Sequence, residues 1–198
     1  MQGIFIVLEG PDGAGTTKHS KLLADRLTRE GSDVMLTFEP TDGPVGSAIR
    51  KDLYAHKAMD AAELQKRFCE DRSWHVEHVI RPALARGAVV ISDRYRDSTV
   101  AYGNALGLDA DMLEEMNEDF PQPDILFYLL PPFSVLQERM GKRESTDVLE
   151  RTELQQKVYE NYRLLAKENP KIIVIDTSGD LEAGAAVIFG HVKNHLSS

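Results

Sequence analysis

The stretch Ile4-Phe5-Ile6-Val7-Leu8-Glu9-Gly10-Pro11-Asp12-Gly13-Ala14-Gly15-Thr16-Thr17-Lys18 decides the fold. Its first five residues are all apolar, as in a strand buried on both faces of a parallel sheet. A glycine-rich turn follows and opens into an amphipathic segment over 17–29. Strand, turn and helix N-terminus together aim several backbone N–H groups and the positive end of a helix dipole at one point. Gly10, Gly15 and Thr17 fit the phosphate-loop spacing Gly-x-x-x-x-Gly-Lys-Ser/Thr, while the lysine position holds Thr16. Glycine suits such a loop because it reaches positive φ and lets the backbone approach a phosphate closely. The plain alternative is a tight strand-to-helix turn with no ligand; the strand–loop–helix context favours phosphate. The candidate phosphate-binding set is therefore Gly10, Asp12, Gly13, Ala14, Gly15, Thr16, Thr17 and Lys18.

Four more apolar runs, over 33–37, 88–92, 124–130 and 171–176, alternate with amphipathic segments such as 61–86 and 149–168. Continuous apolarity again implies strands buried on both faces. The alternation predicts an α/β fold, a parallel sheet of about five strands with helices on both faces. No repeat, low-complexity tract or linker interrupts the 198 residues, so one domain over 1–198 is expected, with a charged flap at 141–146. The 32 acidic residues outnumber the 23 basic ones, and the net charge of −9 argues against nucleic acid or an anionic membrane as partner. Any phosphate chemistry must then rely on a few local cations. The single cysteine, Cys69, excludes an internal disulfide and fits a reducing compartment. The apolar start over 4–8 is too short for a signal sequence, and no run nears the roughly 18 residues of a membrane span. The expected location is cytoplasmic.

Further motifs appear downstream: Glu39-Pro40-Thr41-Asp42-Gly43-Pro44-Val45-Gly46 with Ile49-Arg50 behind it, Phe68-Cys69-Glu70-Asp71-Arg72, and His75-Val76-Glu77. They continue with Asp93-Arg94-Tyr95-Arg96-Asp97-Ser98-Thr99-Val100-Ala101-Tyr102, Pro123-Asp124, and Tyr162 with Leu165-Ala166. In order and spacing this series resembles the thymidylate kinase family of P-loop nucleoside monophosphate kinases, over nearly the whole chain. The resemblance implies a P-loop three-layer fold and phosphoryl transfer from Mg-ATP to dTMP, giving dTDP and ADP. It further implies Mg2+ as cofactor, ATP and dTMP as the small-molecule partners, and a homodimer paired through helices.

Arg50, Arg72 and Arg94 supply planar guanidinium forks that suit phosphate oxygens. By the resemblance, Arg50 and Arg94 grip the acceptor phosphate and Arg72 meets the thymine edge. Phe68 and Arg72 stand four apart, on one helical face, where a ring can stack on a base beside a donor. The implied dTMP-binding set is Asp12, Glu39, Arg50, Phe68, Arg72, Arg94, Ser98, Thr99 and Tyr102. Asp12, a carboxylate inside a phosphate loop, is implied to accept a hydrogen bond from the acceptor 3′-hydroxyl. Asp93 at a strand end and the Thr17 hydroxyl are the candidate metal ligands, although Asp93 also suits a helix N-cap. Arg139 and Arg143, four apart in a lid over about 139–150, are implied to close over ATP, and with Arg94 and Asp12 they form the candidate catalytic set. His75 and His78 have helical spacing for zinc, but no further ligand pair is evident among His19, His56, His191 and His195.

Four positions depart from the family pattern. Thr16 lacks the lysine charge, and Lys18 lies about 200° further round the helix, so the lid arginines are the expected replacement. Gly103 stands where many members carry a base-reading glutamine, Val148 where a lid arginine is common, and Leu130-Pro131 where an aspartate is often found. Two other readings stay open: a kinase for another nucleoside monophosphate such as deoxyuridylate, and a nucleotide-binding module silenced by Thr16. The Asp93-Arg94 pair and the lid cations argue against the second, because a pure binder needs no acceptor arginines.

Overall fold

The computed structural model describes residues 3–142, 148–150 and 152–196. The five apolar runs become β1 Ile4–Glu9, β2 Val34–Phe38, β3 Val89–Asp93, β4 Ile125–Leu129 and β5 Ile173–Ile175, all parallel, in the order β2-β3-β1-β4-β5. β1 is central, pairing Ile4 with Val89 on one side and Ile6 with Ile125 on the other. Its alternate side chains serve opposite faces. Ile6 and Leu8 pack with Leu23, Leu27, Ile188 and Val192, whereas Phe5 and Val7 pack with Val76, Ile80 and Ala83. Helices therefore cover both faces, which is why parallel strands read as unbroken apolar runs.

The expectation of full burial holds for the inner strands and fails at both edges. β5 exposes Val174 at 50%. β2 exposes Leu36 and Phe38, at 38% and 39%. As an edge strand it has a neighbour on one side only.

The helices are α1 Thr16–Arg29, α2 Pro44–Tyr54, α3 Ala61–His75, α4 Arg81–Ala85, α5 Arg96–Ala105, α6 Ala110–Glu115, α7 Phe133–Gly141, α8 Thr152–Glu168 and α9 Leu181–Leu196. The amphipathic stretch 61–86 is not one α-helix: a π-helical turn at Val76–Ile80 separates α3 from α4. Pro82 explains the break, because it has no N–H to donate to the carbonyl one turn back. The expected helix over 149–168 begins as a 3-10 turn at Val148–Glu150, with α8 starting at Thr152.

The chain leaves β1 toward β2 and β3 and later returns to its other side as β4. Such a switch opens a crevice at the C-terminal ends of the central strands, where α/β folds bind ligands. The phosphate loop leaves β1 there and Arg94 leaves β3 there. Under the loop, His19 of α1 fixes the approach of α9. A Cβ on Gly184 would stand 2.8 Å from His19 Nε2, so only glycine lets α9 come this close. His19 Nδ1 lies 2.9 Å from the Gly15 carbonyl, which makes Nδ1 the donor and leaves Nε2 unprotonated in the neutral ring.

Burial, with Arg139 and Lys18 adding repulsion, holds the His19 pKa below its usual 6.5. The folded chain therefore binds this proton more weakly than the unfolded chain. Its contribution to stability is complete above pH 6.5 and is lost as pH falls from there toward the folded value. A His19→Gln variant, whose amide can still donate to Gly15, is expected to lose less melting temperature than the wild type between pH 7 and pH 5. Equal losses in calorimetry would show that folding does not lower the His19 pKa.

Candidate active site

Two cavities share a wall at the crevice. The larger, about 670 Å³, is lined by Asp12, Gly13, Gly15, Thr16, Thr17 and Lys18 of the phosphate loop, with Arg139 and Arg50 on other sides. The smaller, about 100 Å³, is lined by Asp12, Glu39, Phe68, Arg72, Arg94, Ser98, Thr99 and Tyr102. Asp12 and Arg94 line both.

The larger cavity owes its shape to backbone. Gly13 and Gly15 take φ of 84° and 92°, a left-handed conformation open to glycine at little cost. The N–H groups of Thr16, Thr17 and Lys18 begin α1 and so have no intrahelical acceptor. Two members of the expected phosphate set lie outside the lining. Ala14 is fully buried in the core, and the Gly10 carbonyl accepts from Arg94 Nη1 at 2.6 Å. Thr16, at the lysine position, is buried.

Arg94 is the joint between the cavities. Its backbone φ is +69°, and its amide donates to the Leu8 carbonyl at 2.9 Å. Its Nη2 donates to Asp12 Oδ1 at 2.6 Å, and the guanidinium lies 5.4 Å from the Tyr102 ring centre. Burial alone would lower the Arg94 pKa, but Tyr102, Asp12 and their neighbours more than offset it, so the charge is held firmly.

Two residues that sequence reasoning passed over set this geometry. Glu9, fully buried at the end of β1, accepts from the Tyr95 amide (2.8 Å), the Ser98 amide (3.1 Å), the Ser98 hydroxyl (2.6 Å) and the Tyr162 hydroxyl (2.8 Å). Burial, then the nearby Asp97 charge, raises the Glu9 pKa against those donors. Gln155, also fully buried, donates through Nε2 to Asp12 Oδ2 at 2.7 Å and to the Leu149 carbonyl at 2.8 Å, while its Oε1 accepts the Asp12 amide at 3.1 Å. The signal was a glutamine in register with Val158 and Tyr162, three and seven residues on, the spacing of a buried stripe.

The wall formed by residues 39–42 is pinned to α3. Glu39 accepts from Arg72 Nε at 3.0 Å and lies 2.9 Å from His75 Nδ1, and Asp71 accepts from the Thr41 amide and hydroxyl at 2.7 and 2.6 Å. His75 therefore serves this wall rather than a metal. Arg50 lines the larger cavity instead of the smaller one. Its guanidinium is bound to the carbonyls of Pro40 and Thr41 and to Asp42, which brace the same wall.

Thr17 and Asp93 meet as the candidate metal pair. The Thr17 hydroxyl donates to Asp93 Oδ2 at 2.5 Å, and the buried Asp93 Oδ1 has no partner among the described residues. An unpaired carboxylate oxygen beside a hydroxyl at a phosphate loop suits a hard, oxygen-seeking cation such as Mg2+. Arg139 donates through Nη1 to the Gly13 carbonyl at 3.1 Å and through Nη2 to the Thr177 carbonyl at 2.6 Å. Arg143 lies outside the described residues.

A comparison with protein families matches the thymidylate kinase model to residues 8–188. A protein of Pyrococcus horikoshii named probable thymidylate kinase is 37% identical over 99% of this chain and 98% of its own length. One of Thermococcus kodakarensis with the same name is 40% identical, covering 90% of this chain and 92% of its own. A thymidylate kinase of Exiguobacterium sibiricum is 34% identical, covering 92% and 91%. With likeness of that depth over nearly its full length, joined to a phosphate loop and an arginine-lined second cavity, this chain belongs to the thymidylate kinase family.

Proposed function

We propose that the chain transfers the γ-phosphoryl group of ATP to the 5′-phosphate of dTMP, yielding dTDP and ADP. The observation that carries this reading is the pair of cavities that meet at Asp12 and Arg94. Two phosphates that react in line need one shared boundary, and a cation there to offset their charges. ATP would lie in the larger cavity with its phosphates against the loop N–H groups, and dTMP in the smaller with its base beside Phe68. An oxygen of the dTMP phosphate attacks the γ-phosphorus, the bond to the β–γ bridging oxygen breaks, and ADP leaves with that electron pair. The acceptor oxygen is already anionic, so no general base is required.

Arg94 would hold the acceptor phosphate and the transferring group together, and Asp12 would accept the 3′-hydroxyl. Gln155 keeps the Asp12 carboxylate in position for that contact. Thr17 and Asp93 would hold Mg2+, which when bound neutralises charge on the β- and γ-phosphates. Arg139, together with Arg143, would replace the charge of the missing lysine. Arg139 keeps three of its five N–H groups unused by the described residues. A homodimer in the cytoplasm completes the proposal. No described helix is long and apolar enough to cross a membrane.

An assay coupled to ADP release, run over a panel of nucleoside monophosphates, tests the reading. Turnover is expected with dTMP and ATP and not with purine monophosphates; inertness toward all of them would favour a silenced nucleotide-binding module. Arg94→Ala should reduce turnover about 10³-fold while circular dichroism stays native, since one guanidinium on a transferring phosphoryl group is worth that much. Near-normal turnover in the folded variant would refute its role. Asp93→Asn should raise the Mg2+ concentration needed for half-maximal rate. An unchanged Mg2+ dependence would remove Asp93 from the metal site.

A further inference from the structure

The acceptor cavity has a base-sized slot, and two residues of α3 that line it, Arg72 and Gln65, differ sharply in how far protein partners use their hydrogen bonds. A guanidinium carries five N–H groups. In Arg72, Nε and Nη2 both reach Glu39 Oε2, at 3.0 and 2.8 Å, and Nη2 also donates to the Tyr95 carbonyl at 2.8 Å. Nη1 serves Asn117 Oδ1 and the Cys69 sulfur. Four of the five donate to protein acceptors, and the side chain is almost fully buried. Arg72 braces the slot from behind.

Gln65 is in the opposite condition. It is fully buried and lines the cavity, and neither its Nε2 nor its Oε1 has a partner among the described residues. It lies three residues before Phe68 and seven before Arg72 on α3, hence on the same face. The space it occupies adjoins Gly103, where a Cβ would come within 3.1 Å of Gln65 Cγ and 2.6 Å of Leu113 Cδ2. A glycine on α5 thus makes room for a glutamine reaching across from α3. Buried polar groups in native proteins are paired almost without exception, so an amide with both ends unpaired beside a cavity marks a ligand contact. Thr99 Oγ1, also buried and unpartnered, lines the same cavity.

We infer that Gln65 is a specificity-determining residue whose amide pairs with the pyrimidine of the acceptor nucleotide. Its Oε1 accepts from the ring N3–H, and its Nε2 donates to a neighbouring ring carbonyl. A primary amide presents one acceptor beside one donor, the complement of the imide edge of thymine or uracil. This assignment rests on the proposed dTMP kinase reading and adds to it the group that recognises the base.

The test is calorimetric binding of dTMP, and of dTMP methylated at N3, to the wild type and to Gln65→Met, which keeps length and flexibility without hydrogen bonds. Gln65→Met is expected to bind dTMP about ten- to hundredfold more weakly, the worth of a bidentate base contact. N3 methylation should weaken the wild type to a similar degree and cost the variant about threefold or less, because the contact is already gone. The ligand-free variant should melt no lower than the wild type, since it loses no protein partner. Wild-type affinity for dTMP in Gln65→Met would overturn the assignment alone. A marked fall in its ligand-free melting temperature would also overturn it, by showing that the amide holds the fold. A wild type that does not bind dTMP would overturn the proposed function, and this assignment with it.

Discussion

Arg94 Nη2 donates to Asp12 Oδ1 at 2.6 Å across the gap between the ends of β3 and β1. Everything at the crevice is arranged around that contact. Its backbone conformation, φ +69°, is costly for a residue with a Cβ, on the order of 1–3 kcal/mol. The surrounding structure must impose it. Glu9 does so from β1, by collecting two amides and a hydroxyl from the four residues that follow Arg94. Because β1 and β3 are hydrogen-bonded neighbours, the glycine-rich loop and Arg94 ride on one rigid pair of strands. Strand pairing thereby fixes the spacing between the two cavities, which loops alone would leave loose.

The opposite wall is held by charge that never meets water. Glu39 and Arg72 are both nearly fully buried, with His75 on the other carboxylate oxygen and Asn117 behind the guanidinium. Removing water from two such ions costs several kcal/mol each, repaid only when geometry is good and the remaining donors are satisfied. Here they are satisfied, which makes the wall stiff and specific rather than especially stable. The same contacts hold the Arg72 guanidinium in one position at the edge of the smaller cavity.

How much of this could be read from sequence depended on what burial does to a residue. β1, β3 and β4 are shielded on both faces, so their apolar runs located them to within a residue. β2 has equally apolar residues but an open edge, and hydropathy does not say which strand lies at an edge. Pro82 was visible, yet the long amphipathic pattern masked the π turn in front of it. At the crevice, the sequence pattern picked out Asp12, Arg94, Phe68, Gly13 and Gly15, which the fold brings to the two cavities, because residue type and spacing are both visible in a sequence. Arg50 was placed on the acceptor phosphate, whereas the fold turns it onto the carbonyls of residues 40 and 41. For Gln155 only its place in the buried stripe of α8 was visible in sequence, not what it holds, and Glu9 reads as an ordinary acid after a strand; their partners appear only in three dimensions.

The absent loop lysine can be approached through what cancels each remaining charge. The described cations lining the larger cavity are Lys18, Arg50, Arg94, Arg139 and Lys142. Arg94 is paired with Asp12, Arg50 with Asp42 and Lys142 with Glu138, and Lys18 is exposed to solvent at the start of α1. Arg139 differs. Its two contacts are neutral carbonyls, of Gly13 in the phosphate loop and Thr177 after β5, and no described carboxylate lies within ion-pair distance of it. A cation anchored by carbonyls keeps its full charge for a ligand, whereas one anchored by a carboxylate must first be drawn away. Preorganised charge of that kind lowers a barrier without reorganisation at the moment of reaction. Arg139 is thus anchored to the loop that carries Thr16 at the lysine position, by a type of contact that leaves its field intact.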